Sequence, residues 1–125
     1  MKLGIGVLKP MWDMRYDLVF DTGGDLLRVQ CKWAVRRGDV IGIHTRRCRR
    51  SGAGLVHRSY EADEIDAIAA YCPDVERCYL LPHALSVNRT IVLLRLEPTR
   101  NNQHSGIRWA RDYELGARLR ALLGP

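Results

Sequence analysis

Asp17, Gln30 and Lys32 are the residues in this chain whose types and spacing could do chemistry. Two runs, Tyr16-Asp17-Leu18-Val19-Phe20-Asp21-Thr22 and Asp25-Leu26-Leu27-Arg28-Val29-Gln30-Cys31-Lys32-Trp33, flank Gly23-Gly24, and a glycine pair between such runs signals a two-residue hairpin. With the glycines as the turn, Thr22 pairs with Asp25, and each earlier residue pairs one step further out. Asp17 then lies opposite Gln30, and opposite residues share a face. The hairpin thus brings a carboxylate, an amide oxygen and a lysine to one surface, and hard cations such as magnesium prefer oxygen donors.

Alternation along the strands tests this register independently. One face carries Leu18, Phe20, Leu27, Val29, Cys31, Trp33 and Val35, all apolar. The other carries Asp17, Asp21, Arg28, Gln30 and Lys32 among Val19, Leu26 and Ala34. A slip of one residue would destroy the segregation. An ordinary amphipathic hairpin with its polar face in water has the same pattern, so the rest of the chain decides between the two readings.

Tyr16-Asp17-Leu18-Val19, the glycine turn and Arg28-Val29-Gln30-Cys31-Lys32 together resemble the core of the PD-(D/E)XK nuclease superfamily. The resemblance is closest to its group I intron-encoded homing endonuclease branch, in which glutamine stands where most relatives have Asp or Glu. It continues through Glu64 to Pro73, Tyr79 to Pro82, and Arg100-Asn101-Asn102-Gln103 leading to Gly106-Ile107-Arg108-Trp109-Ala110. It implies an α/β (α+β) fold of the restriction-endonuclease type: a mixed, largely antiparallel sheet with a C-terminal helix packed on it. It also implies magnesium-dependent hydrolysis of phosphodiester bonds in double-stranded DNA.

By the same resemblance Asp17, Gln30 and Lys32 form the catalytic trio. The metal ligands would be Asp17, the Gln30 amide oxygen and the Cys31 backbone carbonyl, with Lys32 orienting the attacking water and stabilising phosphoryl oxygens. Two strand cuts imply two active sites, hence a homo-oligomer, a dimer or a tetramer. Members of this branch usually begin with a helix bearing a glutamate that completes the metal site. Here no acidic residue precedes Asp13, which implies an N-terminally short domain with weak metal binding. The alternative function is a catalytically impaired or inactive nucleic-acid-binding domain that retains the nuclease fold.

Composition sets outer limits on these readings. The 125 residues, 46% of them hydrophobic, are expected to make a single domain over 1–125. No apolar run approaches the roughly 20 residues of a membrane span, and the first residues lack a signal-peptide pattern, so a cytoplasmic protein without a membrane partner is expected. Cys31, Cys48, Cys72 and Cys78 show no C-x-x-C spacing, and the four histidines show no paired helical spacing. Zinc sites and a disulfide framework are therefore disfavoured.

A net charge of +6 suits a polyanionic partner. Arg46, Arg47, Arg49, Arg50 and Arg58 are the densest cluster, read as a mobile basic loop that could straddle a DNA backbone; a solubilising loop is the bland alternative. Arg36 and Arg37 at the far turn, and Arg100, Asn101, Asn102 and Gln103 before the last helix, are further DNA-contact candidates.

The elements expected to position these residues are strands at 5–8, 40–45 and 90–96, and a helix from about 107 to 123 with Leu115, Leu119 and Leu122 on the sheet. Residues 67–71 are helix formers by propensity, but the resemblance makes them and 77–81 strands. Asp66 reads as structural, Trp33 and Trp109 as packing residues, and Arg111, Arg118 and Arg120 as solvated.

Overall fold

The computed structural model of the chain describes residues 4–51, 54–59, 64–98 and 106–123, the segments 46–51, 54–59 and 122–123 through their backbone alone. Strands β1 (Gly6–Leu8), β2 (Leu18–Asp21) and β3 (Leu26–Arg37) open the chain. β2 and β3 pair antiparallel with Leu18 opposite Val29 and Asp21 opposite Leu26, the register expected from the glycine turn. That turn is closed by the Thr22 N–H donating to the Asp25 carbonyl at 3.0 Å. Gly23 takes φ +92, a left-handed value that favours glycine.

β3 then continues into a second partnership. Its far half pairs antiparallel with β4 (Val40–His44), which in turn pairs with β9 (Ile91–Arg95). Gly38, at φ +60, makes the turn between β3 and β4. Along its middle, from Val29 to Trp33, β3 pairs in parallel with β7 (Ala67–Cys72), and β7 pairs antiparallel with β8 (Arg77–Pro82). The alanine-rich run is thus a strand, since its ladder partners on both sides and its burial outweigh helix propensity.

Two apolar clusters hold the sheet. Val29, Phe20, Ala67 and Leu80 pack with Leu119 of the C-terminal helix α1 (Leu115–Leu123). On the other side of the sheet Ala34, Ile41, Ile43, Ile68, Leu81, Val92 and Leu94 belong to a larger core built from β3, β4, β7, β8 and β9. This corrects the expectation of one apolar face along β3. Residues 27 and 29 are covered by α1, but the helix ends its coverage there; Cys31, Trp33 and Val35 on the same face are exposed, and Ala34 on the opposite face is buried. Trp33 is therefore not a core residue.

Two further expectations change. The segment read as a basic loop is a hairpin, β5 (Arg46–Ser51) with β6 (Gly54–Ser59), pairing Arg46 with Ser59 and Arg47 with Arg58. Its polar composition hid it, because a ribbon satisfying its backbone ladder needs no apolar face. The terminal helix starts at Leu115, later than expected: the Arg95 N–H donates to the Arg108 carbonyl, Trp109 bridges to Arg95, and a short 3-10 turn spans Ala110–Tyr113. Arg118 is not simply solvated, since its guanidinium lies over the Tyr113 ring at 4.2 Å. No helix among the described residues is long and apolar enough to cross a membrane.

Candidate active site

The hairpin register delivers Asp17 to Gln30. The Gln30 Nε2 donates to Asp17 Oδ2 at 2.8 Å, and the Cys31 backbone N–H donates to the same oxygen at 2.8 Å. Asp17 sits one residue before β2, where its own N–H donates to the Val29 carbonyl. Its carboxylate thus caps the edge of β3 just beyond the β2 ladder. In an antiparallel ladder one residue's N–H and C=O project to the same edge, so the Cys31 carbonyl belongs to the edge that Asp17 occupies. The nearby carboxylate and partial burial both push the Cys31 thiol above its ordinary range, burial being the larger cause.

Lys32 follows Gln30 on the same face, half-buried, and Arg36 continues that face toward the far turn. Alternation puts Arg37 on the opposite one. Arg36 is held locally, its Nε donating to the Gly38 carbonyl at 2.8 Å.

A feature that sequence reasoning missed lies on the other side of Gln30. Arg28 donates to Asp66 three times, from its backbone N–H at 2.8 Å, from Nε at 3.1 Å and through the second guanidinium arm at 3.2 Å. The pair ties β3 to the start of β7, and the Asp66 N–H returns to the Arg28 carbonyl at 2.8 Å. Hydrogen bonds from Arg28 hold the Asp66 carboxyl below the usual range despite some burial. Asp66, expected to be structural, is engaged by Arg28, a partner that could be named only once β3 and β7 were known to be adjacent. Beside the pair, Arg15 Nη1 meets Glu64 Oε1 at 3.1 Å across an open cavity of about 480 Å³. Asp13, Tyr16 and Arg28 also line it, so it adjoins the Asp17 end of the site.

Among the described residues no group of three or more His, Cys, Asp or Glu side chains could hold a metal. Asp21 is engaged in its turn, accepting from the Gly23 N–H at 2.9 Å. The acidic donor at the site is Asp17, with amide and carbonyl oxygens beside it. An all-oxygen set of this kind fits a hard cation that keeps most of its water, and fits poorly the softer metals that select sulfur. The Arg46 to Arg58 side chains, and Arg100, Asn101, Asn102 and Gln103, lie outside the described residues.

Comparison with known proteins bears on the family and the fold. A family model described as PD-(D/E)XK endonuclease matches residues 1–116. A solved structure, that of the bacterial homing endonuclease I-Ssp6803I, is 30% identical and superposes with a TM-score of 0.70 over 98% of this chain and 81% of that one. No curated protein matches. The fold is the restriction-endonuclease-like α+β fold, with a mostly antiparallel sheet and a C-terminal helix, and the chain belongs to the PD-(D/E)XK endonuclease family.

Proposed function

We propose that the protein is a magnesium-dependent endonuclease that hydrolyses phosphodiester bonds of double-stranded DNA in the manner of homing and restriction enzymes. The observation that carries the reading is the Asp17 carboxylate fixed against Gln30 and the Cys31 N–H, with Lys32 next on the same face. Magnesium bound there would supply Lewis acidity toward a phosphoryl oxygen and a more acidic water. Asp17 provides the charge that holds the cation, oriented by the two donors on Oδ2. Gln30 offers its amide oxygen and the Cys31 carbonyl a second neutral donor. Lys32 presents a fixed cation to the phosphoryl oxygens, whose charge grows in the transition state.

Lys32→Ala tests the assignment. Magnesium-dependent nicking of plasmid should fall by roughly two orders of magnitude or more, with folding and DNA affinity nearly unchanged. Equal cutting by the variant would remove Lys32 from the mechanism.

Arg36 extends the Lys32 face, and the β5–β6 hairpin carries Arg46, Arg47, Arg49, Arg50 and Arg58 in an antiparallel ribbon, a form that can lie against a duplex. With Arg100 to Gln103 these residues would supply the phosphate contacts. Replacing Arg46, Arg47, Arg49 and Arg50 by alanine should weaken binding across sequences and flatten its salt dependence. An unchanged slope would assign the ribbon to solubility. Cutting both strands calls for two copies acting together.

One observation favours a second reading, an impaired nuclease that binds DNA without efficient cutting: among the described residues Asp17 belongs to no group of three or more His, Cys, Asp or Glu side chains that could hold a metal. Magnesium titration of the protein separates the two. Binding with activity supports the first reading, and DNA affinity without magnesium binding supports the second.

A further inference from the structure

The face of β3 opposite the candidate site is apolar and open. Trp33 is 71% exposed, Leu93 52%, Val35 45% and Tyr71 38%. Pairing assembles them: Trp33 lies beside Tyr71, with ring centroids 5.8 Å apart in an edge-on contact, and Val35 lies beside Gly42, which lies beside Leu93. One step further, Arg37 pairs with Val40 and Val40 with Arg95. Three rows thus cross the strands: an aromatic row, a middle row of aliphatic side chains around a glycine, and a row ending in two arginines. The four apolar side chains leave on the order of 400 Å² in water. That is about half of the roughly 800 Å² one partner gives to a standard interface, and the composition, aromatic and arginine with one carboxylate, Asp74, at the β7 edge beside the Arg36 N–H, is that of interface centres.

We propose that this face binds a second copy of the chain through a two-fold axis running along the middle row. The pattern is self-complementary about that axis. Val35 and Leu93 meet their own copies, and the reversal of strand direction sets the partner's Arg37 over Trp33, since rows 33 and 37 stand about 6–7 Å on either side of the axis. A guanidinium over an indole is an attractive pairing, whereas an axis along the strands would bring arginine onto arginine. DNA held by Asp17, Gln30 and Lys32 lies on the other side of the same strand, so association leaves that site open. The proposal rests on the reading that two copies act together, and gives that pair a surface.

Sedimentation equilibrium of the full chain tests it, with folding followed by circular dichroism and without reference to cutting. The wild type and Lys32→Ala should both sediment with at least twice the mass of one chain. Trp33→Arg, which opposes the partner's Arg37, should fall to the mass of one chain, as should Leu93→Arg. Trp33→Glu should stay associated in dilute buffer and dissociate at high salt, because it exchanges the ring contact for an ion pair with the same arginine. A wild type of single mass, or a Trp33→Arg protein of wild-type mass, overturns the interface. Trp33→Glu dissociating at every salt concentration overturns the two-fold register. A single-mass wild type whose DNA affinity falls on Trp33→Ala would assign the face to nucleic acid instead.

Discussion

Val29 and Val35 stand on the same face of the same strand, yet Val29 is wholly buried under Leu119 while Val35 is open to water. The difference between the two halves of β3 is one of coverage, not of pattern. Near the glycine turn the odd-numbered face is covered by α1 and the even-numbered face carries Arg28, Gln30 and Lys32. Beyond Lys32 the even-numbered face turns inward at Ala34, toward Ile41 and Ile43, and the odd-numbered face is left bare. A single strand therefore serves two cores, and the candidate site lies where the burial changes sides. Alternation states which residues share a face; elements distant in sequence decide which face is covered.

The largest expected effect measures that difference directly. Val29→Ala removes two buried methyl groups from a packed cluster and should cost about 2–3 kcal/mol in denaturant unfolding. Val35→Ala, on the same face, should cost about 0.5 kcal/mol or less when measured at a concentration where the chain is a monomer. Ala34→Val probes the crossover from the other side. It adds volume to the filled core beneath β4 and should cost about 1–3 kcal/mol by overpacking. Equal costs for the two valines would mean that the far face is covered in solution.

The next effect sharpens the near half. Asp66 takes three bonds from Arg28, one of them from the backbone. Asp66→Asn keeps the shape but loses the charge, and should cost about 1–2 kcal/mol at neutral pH, discounted for the partial exposure of both partners. The direction with pH follows from the depressed carboxyl. A group whose folded value lies below its unfolded value, about 4 for Asp, contributes fully above the unfolded value. Its contribution is lost as pH falls through the folded value. The wild type should therefore lose stability more steeply than Asp66→Asn below about pH 4. Parallel acid limbs for the two proteins would show that the pair does not stabilise the fold.

These contrasts also show how much could be read from the sequence. The Asp17 to Gln30 register was legible because Gly23-Gly24 fixes the turn and one-residue slippage would mix the faces. The coverage of Trp33 was not, because neither the length of α1 nor the change of partners along β3 is written in the residues of β3. The strand at Ala67 ran against its own propensity, and was legible only through the family resemblance. The arginine ribbon was missed because a hairpin without an apolar face lacks the alternation by which strands are found. The Arg28 to Asp66 clamp needed the parallel pairing of β3 with β7, a contact between segments far apart in the chain.

The smallest expected effect on the fold separates position from purpose in the candidate site. Asp17 is exposed, and its two hydrogen bonds join groups that water could also serve. Asp17→Asn keeps an oxygen for the Cys31 N–H, and the Gln30 amide can turn over to face the new amide group. Stability should therefore change by about 0.5 kcal/mol or less, as for a surface substitution. Magnesium affinity should fall beyond detection, because the cation loses the charged oxygen by which Asp17 offsets its dehydration. Thermal melting and calorimetric titration of the same samples read the two quantities side by side. If instead the variant loses more than about 1 kcal/mol of stability while cation affinity is unchanged, Asp17 works as an end-cap for the β2 ladder. The cation would then belong to another carboxylate, and the polar face of β3 would owe its pattern to folding alone.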